Sequence, residues 1–183
     1  MASERKKLRG VVLAEDKRTE RFFRNLLKKL GFGRFRFDTA PKGQGAGEAW
    51  VLRRYPAEVK LLRSKNFQAA LRLVAARDGD NVGVSDRKQE LDQALTNAGL
   101  EARQAGEHIA TPVPTRNIET WLLALLGAND LDETTDYKHR FENEYGASER
   151  NALSDAAAAW QEVNDTSLPS LRDGAAEMAR IDP

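Results

Sequence analysis

Two short apolar runs, each ending in acid, constrain this chain more than anything else in it. Val11-Val12-Leu13-Ala14 leads into Glu15, and Leu71-Arg72-Leu73-Val74-Ala75-Ala76-Arg77 leads into Asp78-Gly79-Asp80. Such runs read as buried parallel strands whose C-terminal tips carry charge. In open α/β sheets that edge is where ligands bind. Three carboxylates gathered there would repel one another. A divalent cation is the simplest species that relieves the repulsion, and hard oxygen donors suit Mg²⁺ or Mn²⁺.

The rest of the pattern agrees with an α/β chain. Leu8–Ala14 reads as a first strand. Thr19–Leu30 reads as a helix, with Phe22, Phe23, Leu26, Leu27 and Leu30 on one face and Gly31 as its stop. Arg34–Asp38 alternates phenylalanine with charge, the mark of a half-exposed strand. Pro41–Gly47 is a glycine-rich loop. Glu48–Arg63 is helical, with Pro56 breaking or restarting it. Leu71–Ala76 is a strand and Ser85–Asn97 a helix, with Gly99 as its cap. Glu107–Val113 reads as a strand ended by Pro112 and Pro114, and Asn117–Leu126 as an apolar helix closed by Gly127. Residues 129–136 are acidic and loop-like. Tyr137–Tyr145, Glu149–Val163 and Leu168–Ala179 read as helices. Strands alternating with helices predict a parallel sheet covered on both faces. The expected organisation is one α/β domain over residues 1–128 and a helical extension, 129–183, packed on it.

Composition narrows the chemistry. The chain has 183 residues, no cysteine and two histidines, His108 and His139, which excludes disulfides and thiolate metal sites. Two histidines are too few for a zinc site without carboxylate help. No stretch approaches the roughly 20 apolar residues that cross a bilayer, and the charged first ten residues do not resemble a signal peptide. A soluble cytoplasmic protein is the default expectation, with no membrane partner.

The net charge of +1 hides an asymmetry. Residues 1–77 hold 20 Lys or Arg against 7 Asp or Glu, and residues 78–183 hold 9 against 21. One reading is a basic surface that grips a polyanion beside a carboxylate cluster. The other is that the two halves pair with each other in the fold.

Here the chain resembles the Toprim family, the catalytic fold of topoisomerases, primases and several nucleases. Glu15 stands where that family has a glutamate after its first strand. Asp78 and Asp80 match its Asp-x-Asp, and Gly83 and Arg87 echo a glycine and a basic residue downstream. The nearest resemblance is to small bacterial Toprim-like proteins related to the nuclease domain of OLD-type (overcoming lysogenization defect) proteins. Glu15-Asp16-Lys17-Arg18-Thr19-Glu20 parallels their Glu-Gly-x-Thr-Glu. Val113-Pro114-Thr115-Arg116-Asn117-Ile118-Glu119-Thr120-Trp121 parallels their proline strand end and tryptophan helix. The match spans residues 8–126, and Asp16-Lys17-Arg18 replaces the family's glycine-containing turn. The resemblance implies a Toprim-like sheet, a metal-dependent nuclease acting on DNA or RNA, and a setting in bacterial anti-phage defence. It also implies a separate ATPase partner or a homo-oligomer.

Phosphodiester cleavage needs an activated water and stabilisation of the leaving oxygen, roles that metal ions can serve. Glu15, Asp78 and Asp80 are the expected metal ligands, with Glu15 as ligand or general base. In an extended strand Asp78 and Asp80 would point to one side. Glu20, in the first helix, is a further ligand candidate, and Glu119, at a helix start, a further catalytic one. Lys17, Arg18, Lys42, Arg53, Arg54, Arg87, Arg116 and Lys138 are the basic candidates for nucleic-acid contact, Lys138 also for stabilising transition-state charge. Lys60, Arg63 and Lys65 add to that set. Arg116 has the alternative of pairing with Glu119 at i, i+3.

Other chemistries find less support. Pro41–Gly47 lacks the Lys-Ser/Thr of a Walker loop, because Glu48 follows it. No Gly-x-Gly-x-x-Gly follows the first strand, and no Ser-His-Asp set is legible. A non-catalytic binding module and a Mg²⁺-dependent enzyme on a small phosphate ester remain as alternatives.

Overall fold

A computed structural model describes residues 9–41, 47–69 and 71–182. Its centre is a four-stranded sheet of β1 (Arg9–Ala14), β2 (Arg34–Thr39), β3 (Arg72–Ala76) and β4 (Ile109–Ala110). The order is β2-β1-β3-β4 and every pairing is parallel. Parallel neighbours need crossovers, and the helices supply them. These are α1 (Lys17–Lys29), α2 (Gly47–Ala69) and α3 (Val84–Asn97), followed by α4 (Ile118–Leu125), α5 (Lys138–Tyr145), α6 (Glu149–Ala159) and α7 (Pro169–Ala179).

Period-two alternation splits the strand side chains between two cores. Val12, Val74, Ala76 and Ala110 face one cluster with Phe22, Phe23, Trp121, Phe141, Trp160, Leu171 and Met178. Leu13, Leu73, Ala75 and Ile109 face the other, with Val51, Tyr55, Val59, Leu91 and Leu95. The protein is therefore an α/β sheet covered on both faces. The C-terminal helices do not stand apart: Trp160 packs 5.9 Å from Phe22 and 6.0 Å from Trp121, ring centre to ring centre. Trp121 also donates from Nε1 to Ser170 Oγ at 2.8 Å, tying α4 to α7.

Three elements depart most from their sequence expectation. α1 starts at Lys17 rather than Thr19, because Asp16 Oδ1 accepts the Thr19 N–H at 2.8 Å and caps the helix. α2 runs through Pro56 unbroken; Tyr55 and Val59 on either side are wholly buried and hold the helix in place where proline removes a backbone bond. β4 is only two residues long where seven were expected. Pro112 and Pro114 have no N–H to give, so the chain leaves the ladder while staying buried. β2, as expected, is a half-exposed edge strand. Among the described residues no helix is long and apolar enough to cross a membrane.

Candidate carboxylate site at the sheet edge

Chain order reverses direction across this sheet between β1 and β3: β2 lies on one side of β1, while β3 and β4 lie on the other. Loops leaving two such strands diverge and open a crevice at their C-terminal ends, the usual ligand position in open α/β sheets. Glu15 follows β1 and Asp78 follows β3 after one residue. Two of the three expected carboxylates, Glu15 and Asp78, thus leave neighbouring strands at the same edge.

Asp78 is buried, and its Oδ1 accepts the backbone N–H of Ile118, the first residue of α4, at 3.1 Å. A helix N-terminus favours such a negative group. It does not offset the rest of the surroundings. Burial, then the charges of Glu15, Asp16 and Glu119, push the Asp78 carboxyl well above its usual range, while Lys138 acts the other way. Glu15, Asp16, Asp78 and Glu119 thus share this corner with Lys138, Arg18 and Arg77.

The loop after Asp78 is fixed by a neighbouring loop. Asp80 N–H donates to Arg116 O at 2.9 Å and Asn81 N–H to Thr115 O at 3.1 Å. Gly79 is required here, because the carbonyls of Pro114 and Thr115 occupy the space a β-carbon would need. Asp80 and Asn81 then adopt left-handed backbone, φ 49° and 63°.

That turn corrects the expectation that Asp78 and Asp80 point to one side. The strand ends at Ala76, and extended geometry does not reach Asp80. Asp80 is exposed, with its carboxylate 3.7 Å from Arg87. Glu20 is also directed elsewhere. Lys17 at 2.6 Å, Arg24 at 2.8 Å and the Thr39 hydroxyl hold it against the end of β2. Burial alone would raise its pKa, but these three partners bring it down to about 2. Glu119 does join the corner. It is buried in the first turn of α4, with Oε1 2.7 Å from Arg18 Nη1 and Oε2 enclosed without a hydrogen bond.

Most of the basic candidates have internal work. Arg18 spans Glu119, Glu142 at 2.8 Å and Glu149 at 3.2 Å, with its guanidinium 4.9 Å from the Phe141 ring centre. Arg54 pairs with Glu58 at 3.1 Å and Asp38 at 3.3 Å. Arg63 grips Glu107 at 2.6 Å. Arg87 is buried, donating to Gly79 O at 3.1 Å and pairing with Glu90 at 3.1 Å. Arg116 lies 3.6 Å from Asp136, not beside Glu119. These pairs join the basic half to the acidic half as often as they stay within one, so internal pairing absorbs much of the asymmetry. Lys17, Arg53, Lys60, Lys65 and Lys138 are exposed. Lys42 and most of the glycine loop, 42–46, lie outside the described residues; Gly47 packs against the backbone of Glu15.

Arg77 was not anticipated. Its side chain is wholly buried between Glu15, 3.5 Å from Nε, and Glu90, 2.8 Å from Nη1. The available signal was an arginine inside an otherwise apolar run, since a charge in a buried strand demands a partner.

The arrangement suits a hard cation in donor type. The acids supply oxygen alone, one Glu119 oxygen is buried without a partner, and Asp78 is destabilised as an anion. With Glu15 beside Arg77 and Glu119 beside Arg18, no three His, Asp or Glu side chains among the described residues are placed to hold a metal ion together. A concavity of about 570 Å³ lies at the opposite end of the strands beside Gly10, Arg34 and Arg72, so it is not the space these acids face. No family model, curated protein or solved structure matches the chain.

Proposed function

We propose that this chain is a metal-dependent nuclease of Toprim type, acting on DNA or RNA in bacterial anti-phage defence. The observation that carries the reading is the buried Asp78 at the β1/β3 switch point, crowded by Glu15, Asp16 and Glu119. Arg77 stands beside Glu15 and Arg18 beside Glu119, while Asp78 is buried among these acids with no ion pair of its own among the described residues, the situation in which a cation or a proton supports function. Glu15, Asp78 and Glu119 would hold Mg²⁺ or Mn²⁺, with Glu15 ligand or general base. The ion would supply Lewis acidity and an activated water.

The chain's own groups have separate tasks. The α4 N-terminus steadies the Asp78 carboxylate through the Ile118 N–H. Lys138, exposed and electrostatically coupled to Asp78, offers positive charge where a phosphate oxygen would gather it. Of the basic candidates, Arg53, Lys60 and Lys65 are exposed and available for positioning a nucleic-acid backbone, while Lys17 is exposed but held by Glu20 at 2.6 Å. Asp80, at the rim, is not needed for the inner set.

The purified chain should nick plasmid or degrade RNA with Mg²⁺ or Mn²⁺ and stop with EDTA. Asp78→Asn and Glu15→Gln should abolish the cleavage while retaining the wild-type circular dichroism spectrum. Equal cleavage by both variants would end the proposal. The second reading, a nucleic-acid or partner-binding module working with a separate ATPase, draws on the lack of three converged ligands among the described residues. It predicts a gel shift that ignores metal and weakens as salt rises.

A further inference from the structure

Glu90 lies outside the carboxylate corner, yet it stands between the two arginines that touch both limbs of it. On one side Arg77 Nη1 is 2.8 Å from Glu90 Oε2, and Arg77 Nε is 3.5 Å from Glu15 Oε1. On the other, Arg87 Nη1 is 3.1 Å from the same Glu90 oxygen, and Arg87 Nε donates to Gly79 O at 3.1 Å. Arg87 also faces Asp80 at 3.7 Å. Arg77 is buried completely and Arg87 almost so. Buried guanidinium groups keep their charge and demand carboxylate or carbonyl oxygen. Glu90, on α3, is an acid that serves both.

We propose that Glu90 and Arg77 form a positioning pair for Glu15. Arg77, anchored by Glu90 and by the Arg87 carbonyl at 3.3 Å, fixes where the Glu15 carboxylate stands at the tip of β1. Because Glu90 shares the Arg77 charge, Glu15 is held in place without being fully neutralised, and it keeps negative charge for a cation. The part of this inference that concerns a cation rests on the nuclease reading. The part that concerns geometry does not.

The consequence is specific. Glu90→Gln keeps the size of the side chain and removes its charge. The Arg77 charge then bears on Glu15, which becomes a poorer ligand. Outer partners that orient a metal ligand change its affinity by about 10–100-fold when removed. Mn²⁺ affinity, read by electron paramagnetic resonance of free Mn²⁺, should therefore fall about tenfold or more in Glu90→Gln. Glu90→Asp, which restores the charge, should recover most of the loss. A role limited to stability would lower the melting temperature without following the charge in this way.

A second measurement needs no metal. The Nε–H resonance of Arg77, assigned by its loss in Arg77→Lys, should move in both Glu15→Gln and Glu90→Gln. If wild type binds Mn²⁺ and Glu90→Gln binds it equally with the resonance unmoved, the positioning pair is overturned and the metal site stands. If wild type binds no Mn²⁺ but the resonance responds to both variants, the pair stands and the metal reading falls.

Discussion

Two buried carboxyl groups in this molecule meet opposite fates. Glu177, on α7, receives Arg103 through both terminal nitrogens, Lys88 at 3.0 Å, the Thr111 N–H at 2.8 Å and the Thr111 hydroxyl at 3.1 Å. Burial would raise its pKa, but these donors outweigh burial and bring it to about 2. Asp78 is as deeply enclosed, has one backbone N–H at 3.1 Å, and faces three other acids. Its carboxyl moves the other way. The same fold can satisfy a buried acid completely, and does so where the acid ties α7 to α3 and β4. At the β1/β3 tips it leaves the acids in conflict. That contrast separates a structural carboxylate from one kept at a cost to stability, which is the usual mark of a functional position.

The contrast breaks first at Glu177. Glu177→Ala leaves Arg103 and the Thr111 N–H buried without their acceptor, a class of change that costs about 3–5 kcal/mol. Urea unfolding at pH 7 measures it. The sign with pH is fixed by the lowered pKa: the contribution is present above the unfolded value of 4.5 and is lost as pH falls through about 2. Wild type should therefore lose its advantage over Glu177→Gln in that window. A difference that stays flat from pH 6 to pH 2 would contradict the assignment.

Gly79→Ala comes next. A β-carbon there meets backbone carbonyls of Pro114 and Thr115, which cannot swing aside as a side chain would. Overpacking of this kind costs about 1–3 kcal/mol. It should also pry the Asp78 loop from the Arg116 loop, so hydrogen exchange at the Asp80 and Asn81 amides should speed up in the variant.

Asp78→Asn should act in the opposite direction and raise the melting temperature at neutral pH. Asparagine keeps an acceptor for the Ile118 N–H and ends the repulsion from Glu15, Asp16 and Glu119. A carboxyl whose folded pKa is raised weakens the native state once it ionises. The penalty is absent below the unfolded value of 3.8 and grows as pH rises through the folded one. Thermal melts at pH 3 and pH 7 should show the gain only at the higher pH. A stabilised variant that has lost cleavage would tie the crowding of Asp78 directly to function.

How much of this was legible in the sequence follows from the range of each interaction. β1, β3 and the stops of α1, α3 and α4 were readable because apolar periodicity and Gly31, Gly99 and Gly127 act over a few residues. The joining of Glu15 and Asp78 was readable because parallel strands with helical crossovers put their C-terminal ends on one edge. The partners of the charged residues were not. Arg18 reaches acids 101, 124 and 131 positions away, and no local pattern announces such pairs. Pro56 inside α2 and the early loss of β4 were settled by tertiary packing, which overrides local propensity.

Asp80 gives the smallest effect and the sharpest test of sequence pattern against geometry. By pattern it is half of an acidic doublet; by position it sits on an exposed left-handed turn beside Arg87. An exposed ion pair of this kind is worth about 0–1 kcal/mol, and asparagine tolerates the left-handed backbone as aspartate does, so Asp80→Asn should shift unfolding by less than about 0.5 kcal/mol. Cleavage should fall by less than about tenfold, a change of under ~1.4 kcal/mol in the barrier, while Asp78→Ala and Glu15→Ala lose it. Removing the carboxylate leaves the Asp80 N–H bonded to Arg116 O and the Gly79 turn intact. If Asp80→Asn proves as inactive as Asp78→Ala at unchanged stability, the turn must swing inward when a cation is present. The doublet would then act as one unit, with Arg87 the group that holds Asp80 out until it does.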